Sequence, residues 1–115
     1  MDKDRPIEEV CALLKSLLKD DANQIIFCTG RVEDYREKTI EQINKILKGS
    51  KNIDIDSCLY MRPKGDYRKD FMVKRDLYKR MIVDGFHPVL VFEDKITVVE
   101  MWKEMGLKCL RITGA

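Results

Sequence analysis

The order of apolar segments along the chain predicts an α/β protein with a mainly parallel sheet. Short runs rich in β-branched and aromatic residues alternate with longer segments whose apolar residues recur at helical spacing. The predicted order is αβαβαβαβ, and no repeat or composition change interrupts it, so residues 1–115 are expected to form a single domain. Alternation of this kind is typical of a three-layer α/β/α arrangement, in which helices cover both faces of the sheet.

Composition limits the classes of function. The 115 residues are 44% hydrophobic, which is enough for a core, and the net charge of +2 does not by itself indicate a nucleic-acid-binding protein. The apolar runs are too short to span a bilayer and no leader is recognisable, so we expect a soluble, cytoplasmic protein with no membrane association. Four separate cysteines and one histidine, His87, do not form a zinc motif, and we expect the cysteines to be reduced and buried.

Four helices are predicted from apolar periodicity and end signals. The first begins near Asp4-Arg5-Pro6, where an acid can cap the helix and proline fits its first turn. The second follows Gly30 and is stopped by Gly49. The third is expected to bury Val73, Leu77, Met81 and Ile82, and the fourth to bury Val98, Met101, Trp102 and Met105. The predicted bounds of the first, third and fourth helices are 4–19, 69–83 and 95–105.

The third of four predicted strands organises the chain. The strands are expected at 24–28, 58–61, 88–93 and 107–112, and the third is the apolar run Pro88-Val89-Leu90-Val91-Phe92, followed directly by Glu93-Asp94. A short apolar run that ends in two acids is typical of a buried parallel strand whose carboxyl end opens on a site. Crevices in open α/β sheets lie outside the carboxyl ends of the strands, so both acids are expected to face one.

Two further clusters carry groups that suit a phosphorylated ligand. Thr29-Gly30-Arg31 offers a hydroxyl, an accessible backbone N–H and a cation at a predicted strand end, although a plain turn with a capping threonine has the same composition. A basic segment with interleaved aromatics suits a single nucleic-acid strand, although a solvated helix face is the alternative. Its members are Tyr60, Arg62, Lys64, Tyr67, Arg68, Lys69, Phe71, Lys74 and Arg75.

The acids at the end of the third strand suit a metal ion. Glu93 and Asp94 are of the type that holds Mg²⁺ through one or two carboxylates and several waters. The alternative is that they cap the helix that begins near Lys95.

In this order, the clusters resemble the haloacid dehalogenase (HAD) superfamily of phosphohydrolases, and are closest to the 3′-phosphatase domain of phage-type polynucleotide kinase/phosphatase. The resemblance covers nearly the whole chain. It is carried by Met61-Arg62-Pro63, Gly65-Asp66, Arg68, Asp70 and Lys74 at fixed offsets, and by IIFCTGRVEDYR, VLVFEDK and VVEMWKEMGLKCLRI. It implies a HAD-like fold and a substrate that is a nucleic-acid 3′ end or a phosphorylated small molecule.

The resemblance also implies residue roles. Thr29 would hydrogen-bond the phosphate, and Lys74 would neutralise the phosphate and the nucleophile. Asp94, with Glu93 beside it, would bind Mg²⁺. Substrate phosphates would be met by Gly30, Arg31, Arg62 and Arg68.

One part of the family pattern does not occur in this sequence. The first motif, Asp-x-Asp-x-Thr at the end of an apolar strand, supplies the nucleophile and the general acid and base. Asp2-x-Asp4 and Asp54-x-Asp56 have the acid spacing but not the strand, so both are interpreted as coincidental. The missing strand is normally central, and a gap there is expected to be too costly. Either the 24–28 strand pairs directly with the 89–93 strand, or another chain supplies a strand, which favours a dimer or a strand-complementing partner.

Three functions remain open at this point. The first is a HAD-like pseudoenzyme, inactive alone, that binds phosphate, nucleotide, Mg²⁺ or a partner. The second is an active Mg²⁺-dependent phosphatase whose missing strand comes from another segment or chain. The third is a purely structural protein, because a fold does not determine a function.

Overall fold

The structure is a computed structural model that describes residues 8–50 and 53–112. Helices and strands alternate in the predicted order. The chain forms two compact units, one made of residues 1–27 and 34–59 and the other of residues 28–33 and 60–115. The predicted residues of the functional site all belong to the second unit.

The first unit contains helix α1 (Glu8–Leu18) and helix α2 (Arg36–Ile46), with a 3-10 segment at Ile55–Cys58. Arg36 ties α2 to this segment, because its guanidinium donates to the Asp56 carboxylate at 2.8 Å and to the Leu59 carbonyl at 2.9 Å. Asp54 precedes this 3-10 segment and Asp56 lies in it, so Asp54-x-Asp56 is not at a strand end. The predicted helix start at Asp4-Arg5-Pro6 lies outside the described residues.

The second unit is built around strands and two helices. Strand β1 spans Phe27–Val32, with Phe27 assigned to the first unit, and β2 spans Leu59–Arg62, with Leu59 likewise in the first unit. Helix α3 spans Asp70–Val83, strand β3 Leu90–Glu93, helix α4 Ile96–Glu104 and strand β4 Lys108–Arg111. Strands β3 and β4 are parallel, with Leu90 opposite Lys108 and Glu93 opposite Arg111. The predicted α/β class is confirmed.

Two local predictions differ from the structure. Strand β1 runs from residue 27 to residue 32 instead of 24–28, so Thr29, Gly30 and Arg31 lie within the strand and not after it. The third helix buries Val73, Leu77 and Met81, but Ile82 is exposed. One narrow stripe of α3 at i, i+4 spacing is enough to face the core, and Ile82 lies outside that stripe.

The strands form two separate two-stranded sheets, β1–β2 and β3–β4. Within residues 8–50 and 53–112, no ladder joins β1 to β3, so the predicted direct pairing is wrong. The other alternative, a strand supplied by another chain, stays a prediction. Every residue of β1 is only half-buried and Leu90 of β3 is 45% exposed.

Both sheets of the second unit pack on the same helix. Val98, Met101 and Trp102 of α4 form a buried cluster, and Cys28 of β1 and Val91 of β3 pack against it. The prediction that α4 buries Trp102 is confirmed, with 3% of the residue exposed. The seam between β1 and β3 therefore lies over a continuous apolar support.

Candidate functional site

Charged side chains meet where β2 and β3 end and where α3 and α4 begin. We call this group, together with Gly30 beside it, the ion-pair rim. Its charged members are Arg62, Asp70, Lys74, Glu93 and Lys95. Helix α3 supplies two of them, Asp70 and Lys74, which are four residues apart and therefore share one face of the helix. Arg62 ends β2, Glu93 ends β3, Lys95 precedes α4, and Gly30 lies within β1.

The buried centre of the rim is an ion pair between Lys74 and Glu93. The two side chains are 11% and 7% exposed, and Nζ of Lys74 lies 3.0 Å from Oε1 of Glu93. The indole Nε1 of Trp102 donates to the same oxygen at 3.3 Å, and the Asp94 backbone N–H donates to Oε2 at 3.2 Å. Both carboxylate oxygens of Glu93 are thus satisfied inside the protein, as a buried charge requires.

Asp70 forms the second ion-pair centre of the rim. Its carboxylate accepts hydrogen bonds from Nη2 of Arg62 and from Nζ of Lys95. The pKa of Asp70 is lowered, chiefly by the hydrogen bond from Lys95, with smaller contributions from the charges of Lys95, Arg62 and Lys74. Through Asp70 and Lys74, α3 joins the end of β2 to the end of β3, which no strand pairing does in the part of the chain described.

Arg62 is the hub of this arrangement. Its Nε donates to the Gly30 carbonyl at 2.8 Å, and its Nη1 donates to the carbonyls of Asp66 at 3.1 Å and Arg68 at 2.6 Å. With the bond to Asp70, four of the five N–H groups of a guanidinium are used within the protein. The predicted contact of Arg62 with substrate remains a prediction, with one N–H left for it.

At Gly30, strand β1 lies close to the side chain of Asp70. A Cβ atom at this position would lie 2.8 Å from Oδ1 and 3.3 Å from Cγ of Asp70. Since Arg62 and Lys95 hold that carboxylate in place, a side chain at position 30 cannot be accommodated without moving it. Glycine here is required by close approach.

Cys28 places β1 beside the buried pair. Burial raises the pKa of the Cys28 thiol to about 12, the charge of Lys74 opposes this shift and the charge of Glu93 adds to it. The next residue, Thr29, accepts a hydrogen bond at Oγ1 from the Arg31 backbone N–H at 3.2 Å. The phosphate contacts predicted for Thr29, Gly30 and Arg31 stay predictions, although their strand, β1, lies beside the Lys74–Glu93 pair.

Arg68 is held by acids of its own segment. Its guanidinium donates to both oxygens of Asp66, at 3.0 and 2.8 Å, and to Asp76 at 2.7 Å. These bonds raise the pKa of Arg68, and the hydrogen bond from the Arg68 side chain is the largest cause that lowers the pKa of Asp66 to about 2. A role for Arg68 with substrate phosphate also remains a prediction.

Two rim residues were assigned no role from the sequence. Asp70 begins α3 one turn before Lys74, and Lys95 follows the acids that end β3. The i, i+4 spacing of Asp70 and Lys74 was the available signal, because it places both on one helix face. Nothing in the sequence indicated that Lys95 would turn back to Asp70.

The alternating α/β chain, with an acid at the end of β3 and a buried lysine on the preceding helix, has a HAD-like fold. The sequence matches the family described as the polynucleotide kinase PNKP phosphatase domain over residues 1–115. This chain belongs to that family.

Two relatives are consistent with this membership. A protein of Autographa californica nuclear polyhedrosis virus, provisionally described as a bifunctional polynucleotide kinase/RNA ligase, is 33% identical over 84 residues, which are 72% of this chain and 11% of that protein. A solved structure, of a Pnkp1/Rnl/Hen1 complex, contains a chain that is 28% identical, with a TM-score of 0.79. The match covers 96% of this chain and 37% of that one.

Phosphatase domains of the HAD type generally use Mg²⁺, and the described residues fit such an ion poorly. No group of three or more histidine, cysteine or acidic side chains within residues 8–50 and 53–112 could hold a metal. Asp70 and Glu93 are paired with lysine side chains, and only Asp94 is an exposed carboxylate at the end of β3.

Of the helices described, none combines the length and the apolar character needed to cross a membrane.

Proposed function

We propose that this chain provides the phosphate-binding part of a polynucleotide 3′-phosphatase site and that it does not release phosphate by itself. The observation that carries the proposal is the buried Lys74–Glu93 pair at the carboxyl end of β3, in a chain of the polynucleotide kinase PNKP phosphatase family. An ammonium fixed at a strand end is suited to neutralise a phosphate. We propose that Thr29, Gly30 and Arg31 of β1 add a hydroxyl, a backbone N–H and a guanidinium.

The expected lack of turnover follows from the rim carboxylates. Covalent phosphoryl transfer needs a free carboxylate as nucleophile, and the sequence contains no Asp-x-Asp-x-Thr. Asp70 and Glu93 each accept bonds from cations, which lowers their availability for attack. Loss of a nucleophile typically removes several orders of magnitude in rate. Because the described acids do not form a metal site, no step through Mg²⁺ is assigned to this chain, and Asp94 would need a second carboxylate from elsewhere to hold the ion.

The test is binding and turnover measured on the same ligand. Fluorescence anisotropy with a labelled single strand carrying a 3′-phosphate should show binding, and the same strand with a 3′-hydroxyl should bind more weakly. Arg31→Ala should reduce this difference. Phosphate release with Mg²⁺ present should stay at the level of the buffer.

Two results would decide against the proposal. Absence of binding at millimolar ligand would leave the purely structural function. Phosphate release by the chain alone, abolished by Asp94→Asn in a variant with unchanged thermal stability, would make it a complete phosphatase.

A second candidate is an active phosphatase completed by a strand from another segment or chain. It is supported by the open seam, where Cys28 of β1 and Val91 of β3 pack on the same α4 cluster and no ladder joins the two strands within the described residues. An apolar strand could pair with both edges and carry its terminal acids to the rim.

Peptide complementation tests this candidate. A peptide with about five apolar residues followed by Asp-x-Asp-x-Thr should raise the thermal midpoint of the chain and restore Mg²⁺-dependent phosphate release. The matched Asn-x-Asn-x-Thr peptide should raise the midpoint to the same extent without activity. If neither peptide changes the midpoint, the seam does not accept a strand. Sedimentation of the chain without peptide distinguishes a partner strand from pairing between two copies.

A further inference from the structure

Tyr67 is the most exposed large apolar side chain among the described residues. It is 95% exposed, on the loop between β2 and α3. Lys64, Arg68 and Lys69 are exposed around it in sequence. Isolated exposed aromatics are common at protein surfaces and do not by themselves indicate a site.

The backbone on both sides of Tyr67 is fixed by the rim. Nη1 of Arg62 donates to the carbonyl of Asp66 at 3.1 Å and to that of Arg68 at 2.6 Å, which are the residues before and after Tyr67. The Arg68 backbone N–H also donates to Oδ1 of Asp66 at 3.1 Å. The backbone of the loop that carries the ring is therefore braced on both sides, so less backbone entropy is left to lose when the ring binds a ligand.

The same guanidinium connects this loop to the candidate phosphate site. Arg62 donates from Nε to Gly30 and from Nη2 to Asp70, so the ring is presented next to the ion-pair rim. An exposed aromatic beside cations is the combination that binds single-stranded nucleic acid, since bases stack on the ring while phosphates meet the positive charges.

We propose that Tyr67 is a nucleobase-stacking residue for the polynucleotide whose 3′-phosphate binds at the rim. This inference rests on the proposed function and adds the part of the substrate that the ring recognises. Stacking on one ring face tolerates any base, so no sequence preference is expected. The phenol hydroxyl is not required, because the aromatic face makes the contact.

The test compares variants by fluorescence anisotropy with a short single-stranded DNA that carries a 3′-phosphate. Tyr67→Ala should weaken binding about five- to one-hundredfold, whereas Tyr67→Phe should bind within about twofold of the original chain. Tyr35→Ala is the matched control, because Tyr35 is a 55% exposed tyrosine in the first unit, and it should bind as the original chain does. Urea midpoints of the three variants should agree, since these rings are exposed.

A fully abasic strand of the same length separates stacking from phosphate binding. It keeps every phosphate, so the original chain should bind it about as weakly as Tyr67→Ala binds the normal strand, and Tyr67→Ala should have no further effect. Equal binding of the normal strand by the original chain and by Tyr67→Ala overturns the stacking role and leaves the proposed function intact. A loss in Tyr67→Ala that is as large with the abasic strand also overturns it. If the original chain binds neither strand, both the proposed function and this inference fail.

Discussion

Nζ of Lys74 and Oε1 of Glu93 lie 3.0 Å apart, with the side chains only 11% and 7% exposed. A charge pair of this kind is costly to bury, and its attraction offsets that cost only while both partners are present. The pair therefore makes the stability of the second unit depend on Lys74, the group proposed to neutralise a phosphate, and on Glu93, its buried partner.

A double-mutant cycle measures this dependence. Lys74→Met leaves the Glu93 carboxylate buried without its cation and should lower the free energy of unfolding by about 3–5 kcal/mol. Adding Glu93→Gln removes the uncompensated charge, so the double variant should be more stable than Lys74→Met alone. Urea unfolding followed by circular dichroism gives the values. Glu93→Gln alone completes the cycle, and strictly additive effects of the two single substitutions in the double variant would mean that the two groups do not interact.

Trp102 joins the α4 core to the site. Its side chain is buried and its indole N–H donates to Oε1 of Glu93 at 3.3 Å. Trp102→Ala should lower the free energy of unfolding by about 3–5 kcal/mol. A loss of this size is enough to prevent folding of a small domain. Trp102→Phe keeps most of the apolar contact and loses the hydrogen bond, so it should remain folded and cost about 1–3 kcal/mol in urea unfolding. No measurable change in Trp102→Phe would remove the indole from the support of Glu93.

Local sequence patterns predicted α3 and α4 well and β1 poorly. The apolar stripe of α3 recurs at helical spacing and needs no partner to be recognised. Thr29-Gly30-Arg31, in contrast, has the composition of a turn, and only pairing of β1 with β2 keeps these residues in a strand. The pairing of β1 with β2 therefore overrides the turn propensity of these three residues.

The roles predicted for the candidate site residues stay predictions, but the ion pairs among them could not be predicted from the sequence. Glu93 and Asp94 were both expected to face a crevice at the end of β3, and spacing alone does not indicate whether either acid pairs with Lys74. The structure assigns the pairing to Glu93 and leaves Asp94 exposed. The sequence did predict a vacant strand position between β1 and β3, because the strand of the first motif does not occur in it, and what fills that position stays a prediction.

Gly30→Ala tests the close approach of β1 to Asp70. The new Cβ would lie 2.8 Å from Oδ1, so the carboxylate must move away from Arg62 or Lys95. We expect a loss of about 1–3 kcal/mol in the free energy of unfolding, together with weaker binding of 3′-phosphorylated DNA. Gly49→Ala is not a matched control, because that glycine has φ +88°. Unchanged stability in Gly30→Ala would show that the Asp70 carboxylate is free to shift.

Asp66 should give the loop that carries Tyr67 an acid-sensitive anchor. Its pKa is lowered from 3.8 to about 2, chiefly by the hydrogen bond from the Arg68 side chain. A depressed acid pKa means that the stabilising contribution is complete above the unfolded value of 3.8 and is lost as the pH falls towards 2. Carboxyl carbon NMR should show Asp66 titrating near 2, and Arg68→Met should move this midpoint up towards 3.8. An unchanged midpoint in Arg68→Met would contradict the assignment of the Arg68 hydrogen bond as the cause of the lowered pKa.

Cys28 should report on the buried pair through its reactivity. The thiolate is the reactive form, and raising the pKa from 9.0 to about 12 lowers its population at pH 8 by about a thousandfold. Alkylation by iodoacetamide, followed by peptide mass spectrometry, should therefore be much slower at Cys28 in the folded chain than in the same chain unfolded in urea. The unfolded chain is the appropriate control because it carries the same cysteine without burial, Lys74 or Glu93 nearby. Equal rates in the two states would mean that Cys28 is solvated, and β1 would then not lie against the Lys74–Glu93 pair.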